Sequence, residues 1–326
     1  GNPQITFFKV VYRRHTNFSK EAIKQEWSGS GARKTCTLSR NGDLVQEIYM
    51  KGSSQTHAAL KSVEVEIGGQ KIDKHYGTWL AIYDELFETN RPLSAAIVGT
   101  FLPLQFWFNR NPGLALPLIA LQYHEVKINM TLNPARTGSA GAVTMSEAKL
   151  LVNYLYLDTD ERRRFAQVSH EYLIEQVQHT GVETGATVDM SFNHPVKALF
   201  WTGGTWTNVK LQLNGHDRAA EQAHDYYHLV QPYESGLGHC GKSLNTATRK
   251  WGDVVKTGAN NNVGMYSFCL KPAEHQPSGT CNFSRIDNAT LTVTLSADSG
   301  SELYVYGVNY NVLRIMSGMG GLAYSN

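Results

Sequence analysis

The two halves of this chain resemble each other, and this internal repeat constrains the fold more than any other feature of the sequence. An alternating apolar run that ends in a tight turn occurs at residues 63–69 and again at residues 209–215. The first copy continues to Lys74-His75-Tyr76 and the second to His224-Asp225-Tyr226. Each half therefore contains a strand, a turn and then a predicted helix in the same order.

Two further pairs of similar segments occur in the same order. A short aromatic run, a turn that contains proline and a second apolar run repeat in both halves, and each half ends with the tripeptide Val-Asn-Tyr. These pairs are residues 104–108 and 266–270, which lead into residues 126–132 and 289–295, and then residues 152–154 and 308–310. Three matches in one order predict two tandem copies of one domain.

The predicted boundary between the two copies falls in a charged run. Residues 158–164 read DTDERRR and are the clearest linker signal in the chain. We therefore predict an N-terminal domain over residues 1–160 and a C-terminal domain over residues 161–326.

Most ordered-looking stretches alternate with period two, which predicts strands rather than helices. In residues 62–68 the apolar side chains take one face and the carboxylates the other, and Gly68-Gly69 ends the run as a turn. Helical periodicity is confined to short pieces such as residues 79–87. The strand candidates are residues 7–12, 44–50, 102–108, 119–132, 150–157, 173–178, 196–202, 209–213, 265–270, 289–295 and 303–315.

Eight or so short strands per half, with long connections, suit an antiparallel jelly-roll sandwich that buries one face of each of two sheets. The predicted fold class is therefore all-β, with two tandem eight-stranded jelly rolls and short helices in the loops. An immunoglobulin-like pair is the competing sandwich, but the halves lack its Cys–Trp–Cys spacing. The aromatic run at residues 101–108 is interpreted as sandwich core that alternates within a strand.

The composition excludes several classes of protein. With 41% hydrophobic and 18% charged residues, the chain has ample core material and is not predominantly disordered. Its longest apolar stretches are too short for a membrane-spanning helix. A formal net charge of +2 gives no overall field that would attract nucleic acid. The four cysteines at positions 36, 240, 269 and 281 lie far apart, which predicts free thiols.

The closest match to a catalytic motif is GLGHCGKS at residues 236–243, which satisfies the phosphate-loop pattern G-x-x-x-x-G-K-[ST]. That chemistry needs a buried strand before the loop and a helix after it, so that backbone N–H groups converge on the phosphates. The residues before the loop are polar and interrupted by Pro232, and those after it show no apolar face. A surface loop is therefore the favoured interpretation.

Other catalytic and metal-binding patterns are incomplete. His124-Glu125 and His170-Glu171 lack the second histidine of H-E-x-x-H, and no G-x-S-x-G elbow occurs. His224 and His228 stand at i and i+4 and could face one metal on a helix, but a structural role is favoured. We therefore expect no catalytic, cofactor-binding or metal-binding residues.

Five blocks of the sequence resemble the major capsid proteins of large icosahedral double-stranded DNA viruses, the group that includes the phycodnaviruses and iridoviruses. The similarity covers nearly the whole chain and is closest to the algal-virus members. The blocks are residues 1–18 (GNPQITFFKVVYRRHTNF), 66–76 (EIGGQKIDKHY), 112–126 (PGLALPLIALQYHEV), 164–176 (RFAQVSHEYLIEQ), and 276–290 with 310–324 (QPSGTCNFSRIDNAT and YNVLRIMSGMGGLAY).

The resemblance implies a structural protein without enzyme activity. Its fold would be a double jelly roll, and a homotrimer would form a pseudo-hexagonal capsomer that tiles an icosahedral shell. The implied partners are neighbouring capsomers and minor capsid proteins. No direct contact with nucleic acid and no transmembrane segment are expected, although an inner membrane can lie beneath such a shell. The implied location is the virion capsid, assembled in the host cytoplasm.

Three further expectations concern the start of the chain, its contact segments and its C-terminal turn. Family members normally begin with a further stretch of about two dozen residues before the Gly-Asn-Pro block, and this sequence starts with Gly1, so we expect it to lack an arm that would contact the inner shell. Residues 158–164 and 314–324 are the candidates for contacts between domains or between subunits. The glycines at residues 318–321 indicate close backbone approach or unusual dihedral angles, which suits a buried turn.

Two alternative functions remain open at this point. A jelly-roll carbohydrate-binding module is the runner-up, because the same sandwich also occurs in lectin domains. Nucleotide binding at residues 236–243 is the less favoured alternative.

Overall fold

The computed structural model describes nine stretches of the chain, and every structural statement below refers to them. They are residues 16–29, 31–51, 57, 60–87, 101–133, 149–203, 206–237, 263–295 and 302–325. The strand predicted at residues 7–12 and most of the phosphate-loop pattern lie outside these residues.

Nine strands and two helices make up the first half, and a third helix follows it. They are β1 (Phe18–Gln25), β2 (Arg33–Thr37), β3 (Leu44–Lys51), β4 (Leu60–Ile67), β5 (Gln70–Tyr76), α1 (Gly77–Leu86), β6 (Phe101–Pro103), α2 (Trp107–Arg110), β7 (Leu116–Pro117), β8 (Val126–Leu132), β9 (Lys149–Leu157) and α3 (Thr159–Gln167).

Ten strands make up the second half, together with a π-helical turn at Tyr226–Val230 and one helix. They are β10 (His170–Glu183), β11 (Thr187–Asp189), β12 (Pro195–Thr202), β13 (Trp206–Leu213), β14 (His216–Ala223), α4 (Gln231–Glu234), β15 (Gly264–Ser267), β16 (Cys281–Asn282), β17 (Ala289–Leu295), β18 (Leu303–Met316) and β19 (Met319–Leu322).

The two halves have the same strand order. In the first half the sheets run β1-β9-β3-β6, with β7 also on β3, and β2-β8-β4-β5. In the second half they run β10-β18-β12-β15, with β16 on β12 and β19 on β18, and β11-β17-β13-β14. Because β6 and β7 share one partner strand, and β15 and β16 share another, each half has eight strand positions in two antiparallel sheets, and β19 is an additional strand on β18. This is a jelly roll repeated twice, and the predicted fold class is confirmed.

The repeated hairpin has the same turn chemistry in both halves. Gly68 and Gly69 join β4 to β5 with φ of 57° and 85°, and Asn214 and Gly215 join β13 to β14 with φ of 51° and 76°. Two successive positive φ angles define the tight hairpin turn that matches the strand twist, and Gly or Asn adopts them at least cost. The sequence match between residues 63–69 and 209–215 therefore reflects a real structural repeat.

A shared β-bulge shows that the Val-Asn-Tyr match is wrong by one residue. In β3 the pairing with β9 shifts beyond Val45, which lies opposite Tyr154. In β12 the pairing with β18 shifts beyond Val196, which lies opposite Asn309. Tyr154 therefore corresponds to Asn309 and not to Tyr310. Because side chains alternate between the two faces of a strand, a match that is wrong by one residue pairs side chains that lie on opposite faces of the two equivalent strands.

Three predicted strands are shorter than the sequence pattern indicated. The candidate at residues 265–270 ends at Ser267, the last residue of β15. The candidate at residues 102–108 contains only the end of β6, because the chain turns into α2 at Trp107. The Asn109 side chain accepts a hydrogen bond from the Phe106 N–H (3.1 Å) and closes this turn. Consecutive side chains from Phe106 to Phe108 are all buried, so they are core residues but do not alternate within a strand. The candidate at residues 119–132 begins only at Val126.

The charged run at residues 158–164 forms helix α3 rather than an irregular linker. The Asp158 carboxylate accepts the N–H of Thr159 (2.8 Å), and Asp160 and Glu161 lie in the first turn. Both features stabilise the positive end of a helix. None of the residues of α3 is buried.

Apolar packing continues from the first half into the second. One cluster of buried residues combines the interior of the first sandwich with side chains of the second half, six of them on β12 and β18, namely Ala198, Phe200, Tyr306, Val308, Leu313 and Ile315. A separate cluster fills the second sandwich. The second half therefore buries both faces of its sheet β10-β18-β12-β15.

The hairpin turns yield a stability prediction. Changing Gly69→Ala or Gly215→Ala places a Cβ in the left-handed region, where we expect a loss of about 1–2 kcal/mol of unfolding free energy. Both sites have open space around the added Cβ, so backbone strain is the only cost. Chemical unfolding measures the change. Gly185→Ala is the matched control, since its Cβ would meet only ordinary contacts, and an equal loss there would contradict the explanation.

Candidate functional site

The phosphate-loop pattern is not preceded by the strand that its chemistry needs. Only Gly236 and Leu237 of residues 236–243 are described, and the chain reaches them through helix α4. A phosphate loop requires a buried strand that ends at the first glycine. The described part of the motif therefore does not have the required geometry.

The histidine pair at positions 224 and 228 has structural contacts. The two rings lie 4.8 Å apart, and the His224 ring lies 4.2 Å from that of Trp206. His228 Nδ1 is bonded to the Val263 carbonyl oxygen (2.7 Å). Within the described ranges no cluster of three His, Cys, Asp or Glu side chains could hold a metal ion. No helix in those same ranges is long and apolar enough to cross a membrane.

The most elaborate polar arrangement in the described chain is a buried ion cluster between the two halves. Arg110 on α2 donates to Glu175 Oε2 (2.5 Å), and Lys197 on β12 donates to Glu175 Oε1 (2.7 Å). Lys197 also donates to the Pro272 carbonyl (2.7 Å). The Glu175 and Lys197 side chains are 5% and 2% exposed. One carboxylate thus joins a cation of the first half to a cation of the second.

The two cations of this cluster hold the central carboxylate in its charged form. Burial by itself raises the pKa of Glu175, but the charges of Lys197 and Arg110 outweigh burial and hold that pKa below its ordinary value. Burial lowers the pKa of Lys197, and Glu175 opposes this shift. Burial also lowers the pKa of nearby His275, which favours its neutral form. The cluster therefore depends on Glu175 remaining ionised.

Helix α1 covers the outer face of the second sandwich with aromatic side chains. Trp79 packs edge-on against Phe200 with ring centroids 5.3 Å apart, and it lies 5.7 Å from Tyr306. Phe87, just beyond the helix, lies 5.6 Å from Phe200. Aromatic pairs of this kind contribute about 0.5–1.5 kcal/mol beyond the area that they bury.

Strands β5 and β10 bring the edges of their two sheets together. The Val177 N–H donates to Asp73 Oδ1 (3.0 Å), and the Gln176 amide donates to the Ile72 carbonyl. These bonds satisfy backbone groups that an edge strand would otherwise offer to other chains. The contact is directional, since the β5 edge of one unit meets the β10 edge of the next.

The candidate contact segment at residues 314–324 does lie between the halves. Its hairpin β18–β19 reaches the first half, where the Tyr123 N–H donates to the Gly318 carbonyl (3.0 Å) and the Leu322 N–H donates to Gln70 Oε1 (3.2 Å). Gly318 has φ of 79°, and a Cβ on Gly320 would lie 2.6 Å from Leu121. The turn itself is at the surface and not buried, because Met316 and Met319 are about half exposed.

The other candidate segment, residues 158–164, also contacts the first half. Arg162 pairs with Asp43 (2.9 Å). Phe165, one residue beyond the segment, packs beside a small apolar cluster of Leu44, Ala115 and Leu155.

Sequence reasoning missed the ion cluster. Glu175 and Lys197 are lone charges inside the apolar runs LIEQV and VKALF, which is the signal that could have identified them. Arg110 carries no such signal, because it ends the short helix α2, whose first two residues were predicted as part of a strand.

Two stacked jelly rolls that share one buried contact define the double jelly-roll class of protein. A family model described as "Major capsid protein N-terminus" matches residues 6–158. A second, "Large eukaryotic DNA virus major capsid protein", matches residues 161–205 and 246–321.

Relatives agree with these matches over the full chain. The major capsid protein of Pyramimonas orientalis virus is 49% identical, with 100% of this chain and 95% of the relative covered. That of Paramecium bursaria Chlorella virus 1 is 40% identical, with 100% and 96% covered. The crystal structure of PBCV-1 VP54, fitted into a reconstruction of the virophage Sputnik, matches with a TM-score of 0.79, 38% identity and coverage of 98% of this chain and 100% of VP54.

This chain therefore belongs to the family of major capsid proteins of large eukaryotic DNA viruses. It is a structural protein of the virion shell, and the resemblance drawn from the sequence blocks is confirmed. The family assignment favours the shell role over carbohydrate or nucleotide binding.

Replacing the central carboxylate should destabilise the fold strongly. In Glu175→Gln two cations lose their counter-charge in a buried site, so we expect a loss of about 3–5 kcal/mol of unfolding free energy. Glu171→Gln is the matched control, because it removes an exposed pair with Arg314 and should cost about 1 kcal/mol at most. Chemical unfolding of both variants gives the comparison. Equal losses would contradict the role of Glu175.

The same carboxylate should make stability depend on pH. The folded-state pKa of Glu175 lies below the ordinary value of 4.5, so its contribution is present above that value and is lost as the pH falls through the folded-state pKa. The unfolding free energy of the unmodified chain should therefore fall more steeply on acidification than that of Glu175→Gln. Unfolding curves from about pH 6 to about pH 3 measure both slopes. Parallel slopes would show that Glu175 is not the group responsible.

Proposed function

We propose that three copies of this chain form a pseudo-hexagonal capsomer and that such capsomers tile an icosahedral shell. The observation that carries the proposal is the contact between the two halves, in which an edge of the first jelly roll packs on an outer face of the second. Because the two halves share one strand order, the same kind of contact can be made between chains. A head-to-tail contact of this kind closes into a ring when the rotation allows it. Three chains would then supply six similar units.

The remaining parts of the proposal concern units and partners. The two jelly-roll units are residues 1–160 and 161–326. Neighbouring capsomers and minor capsid proteins are the proposed partners, assembly takes place in the host cytoplasm, and the chain has no enzyme activity. The near-neutral net charge of +2 supports a shell whose partners are mainly other proteins rather than nucleic acid.

The mass of the purified chain tests the assembly directly. Native mass spectrometry should give about three times the 36.3 kDa of one chain. Electron microscopy of the same sample should show hexagonal particles of capsomer shape. A stable monomer at every protein concentration would contradict the proposal.

A further inference from the structure

We infer that the contact between the two halves is repeated between chains through two specific surfaces, an inference that rests on the proposed trimer. The first surface is the "arm" of the second half, formed by β14, the π-helical turn Tyr226–Val230 and α4. The second is the "outer face" of the sheet β1-β9-β3-β6 in the first half. The arm of one copy packs on the outer face of the next copy.

Exposure of two equivalent strands supports the outer face as a contact surface. The bulges place Lys20 of β1 at the position of Glu175 in β10. In β10 the four residues from Ile174 to Val177 are buried, because the first half packs on them. In β1 the equivalent four residues from Ser19 to Ala22 are all exposed. The same structural position is thus covered in one half and open to solvent in the other.

Side chains on the arm are more exposed than side chains on helix α1 of the first half. The helical part of the arm follows β14 as α1 follows β5, and α1 is the helix that covers the second half. Tyr83 and Leu86 lie seven and ten residues after the end of β5, and Val230 and Tyr233 lie seven and ten residues after the end of β14. Tyr83 and Leu86 are 8% and 0% exposed, whereas Val230 and Tyr233 are 40% and 73% exposed. Apolar side chains this exposed on a helical surface mark an interaction site.

The outer face has apolar side chains at the positions that the arm would contact. Within the chain, Trp79 of α1 packs on Phe200 and Tyr306. The shared register places Tyr49 and Leu151 at those two positions of the first half. Both are half-buried, so their side chains still present apolar surface.

Charge favours the same pairing. The outer face and the residue that follows β1 carry four lysines and two glutamates, which are Lys20, Lys24, Lys51, Lys149, Glu26 and Glu47. The arm and the residues beside it carry four carboxylates and one arginine, which are Asp217, Glu221, Asp225, Glu234 and Arg218. Surfaces of opposite charge steer association and suppress wrong pairings.

Charge also explains why unlike halves would alternate around the ring. Inside the chain, Arg110 of the first half meets Glu175 of the second. If the first half of one copy instead packed on the outer face of another first half, Arg110 would approach Lys20, which stands at the Glu175 position. Lys20 is already paired with Glu47, and Arg110 would meet the Lys20 ammonium group in place of a carboxylate, so this pairing is disfavoured.

Charged substitutions on the arm test the contact. The double variant Val230→Asp with Tyr233→Asp should raise the concentration at which half the chains are trimeric by at least about tenfold, or about 1.4 kcal/mol. The matched control is Val168→Asp with Leu270→Asp, since these side chains are 53% and 77% exposed but lie outside both surfaces. Sedimentation velocity over a range of concentrations measures the shift, and the control should behave as the unmodified chain.

Cross-linking tests directly whether the two surfaces lie next to each other. Phe87 lies eleven residues after the end of β5 and packs against Phe200 within the chain. Glu234 lies eleven residues after the end of β14, and Tyr49 takes the register position of Phe200 in the first half. A chain with Glu234→Cys and Tyr49→Cys should give covalent dimers and trimers on a denaturing gel after treatment with a short thiol cross-linker. Glu234→Cys with Lys127→Cys is the control pair, because Lys127 lies on β8 in the other sheet, and it should give no ladder.

The outcomes separate this inference from the proposed function. If the unmodified chain is trimeric, the Asp double variant remains trimeric and the Cys pair gives no ladder, the assigned surfaces are wrong while the trimer stands. If the unmodified chain is monomeric at every concentration, the trimer itself is wrong, and the assigned surfaces with it. A ladder from the test pair alone supports the inference even if the Asp variant fails to fold.

Discussion

The architecture depends on covering the outer face of the second jelly roll. A β-sandwich normally buries the inner faces of its two sheets and leaves the outer faces in water. Here Phe200 and Tyr306 point outward from the second sandwich and are fully buried, because Trp79 and its helix α1 lie over them. Removing the first half would expose a contiguous apolar surface on the second. The two units are similar in fold, but the second requires the first.

The ion cluster gives this apolar contact a defined register. Apolar surfaces tolerate small displacements, since burial is not directional. A carboxylate held between two cations has one favourable position, and Glu175, which Lys197 holds within the second half, meets Arg110 of the first half in the observed alignment. Burying three charges costs several kcal/mol per ion before their mutual attraction is counted. The cluster therefore contributes more to the alignment of the halves than to their net stability.

The local sequence pattern was sufficient to predict the fold class but not to predict the contact between the two halves. Alternation and the hairpin turns predicted β4, β5 and their repeats, because a period of two and paired glycines are local signals. The Val-Asn-Tyr match failed by one residue because β-bulges shift the register without leaving a mark in the composition. The run at residues 102–108 was read as a strand because nothing local reveals that Asn109 closes a turn.

The contact between the halves escaped prediction for a different physical reason. Apolar residues on both faces of a strand look the same whether the second face meets another sheet, a helix or a neighbouring chain. Glu175 and Arg110 are 65 residues apart, so only the folded chain brings them together. Their pairing can be recognised once the halves are aligned.

Divergence between the two halves is what turns a repeat into a directional building block. If the halves were identical, either could pack on either, and the chain would have no preferred neighbour. The turns at Gly69 and Gly215 kept the same geometry, which preserves the fold. The exposed positions changed instead, with lysine at position 20 where the second half has Glu175. Because fold and surface changed independently, two similar units in one chain can each take a distinct place in a larger assembly.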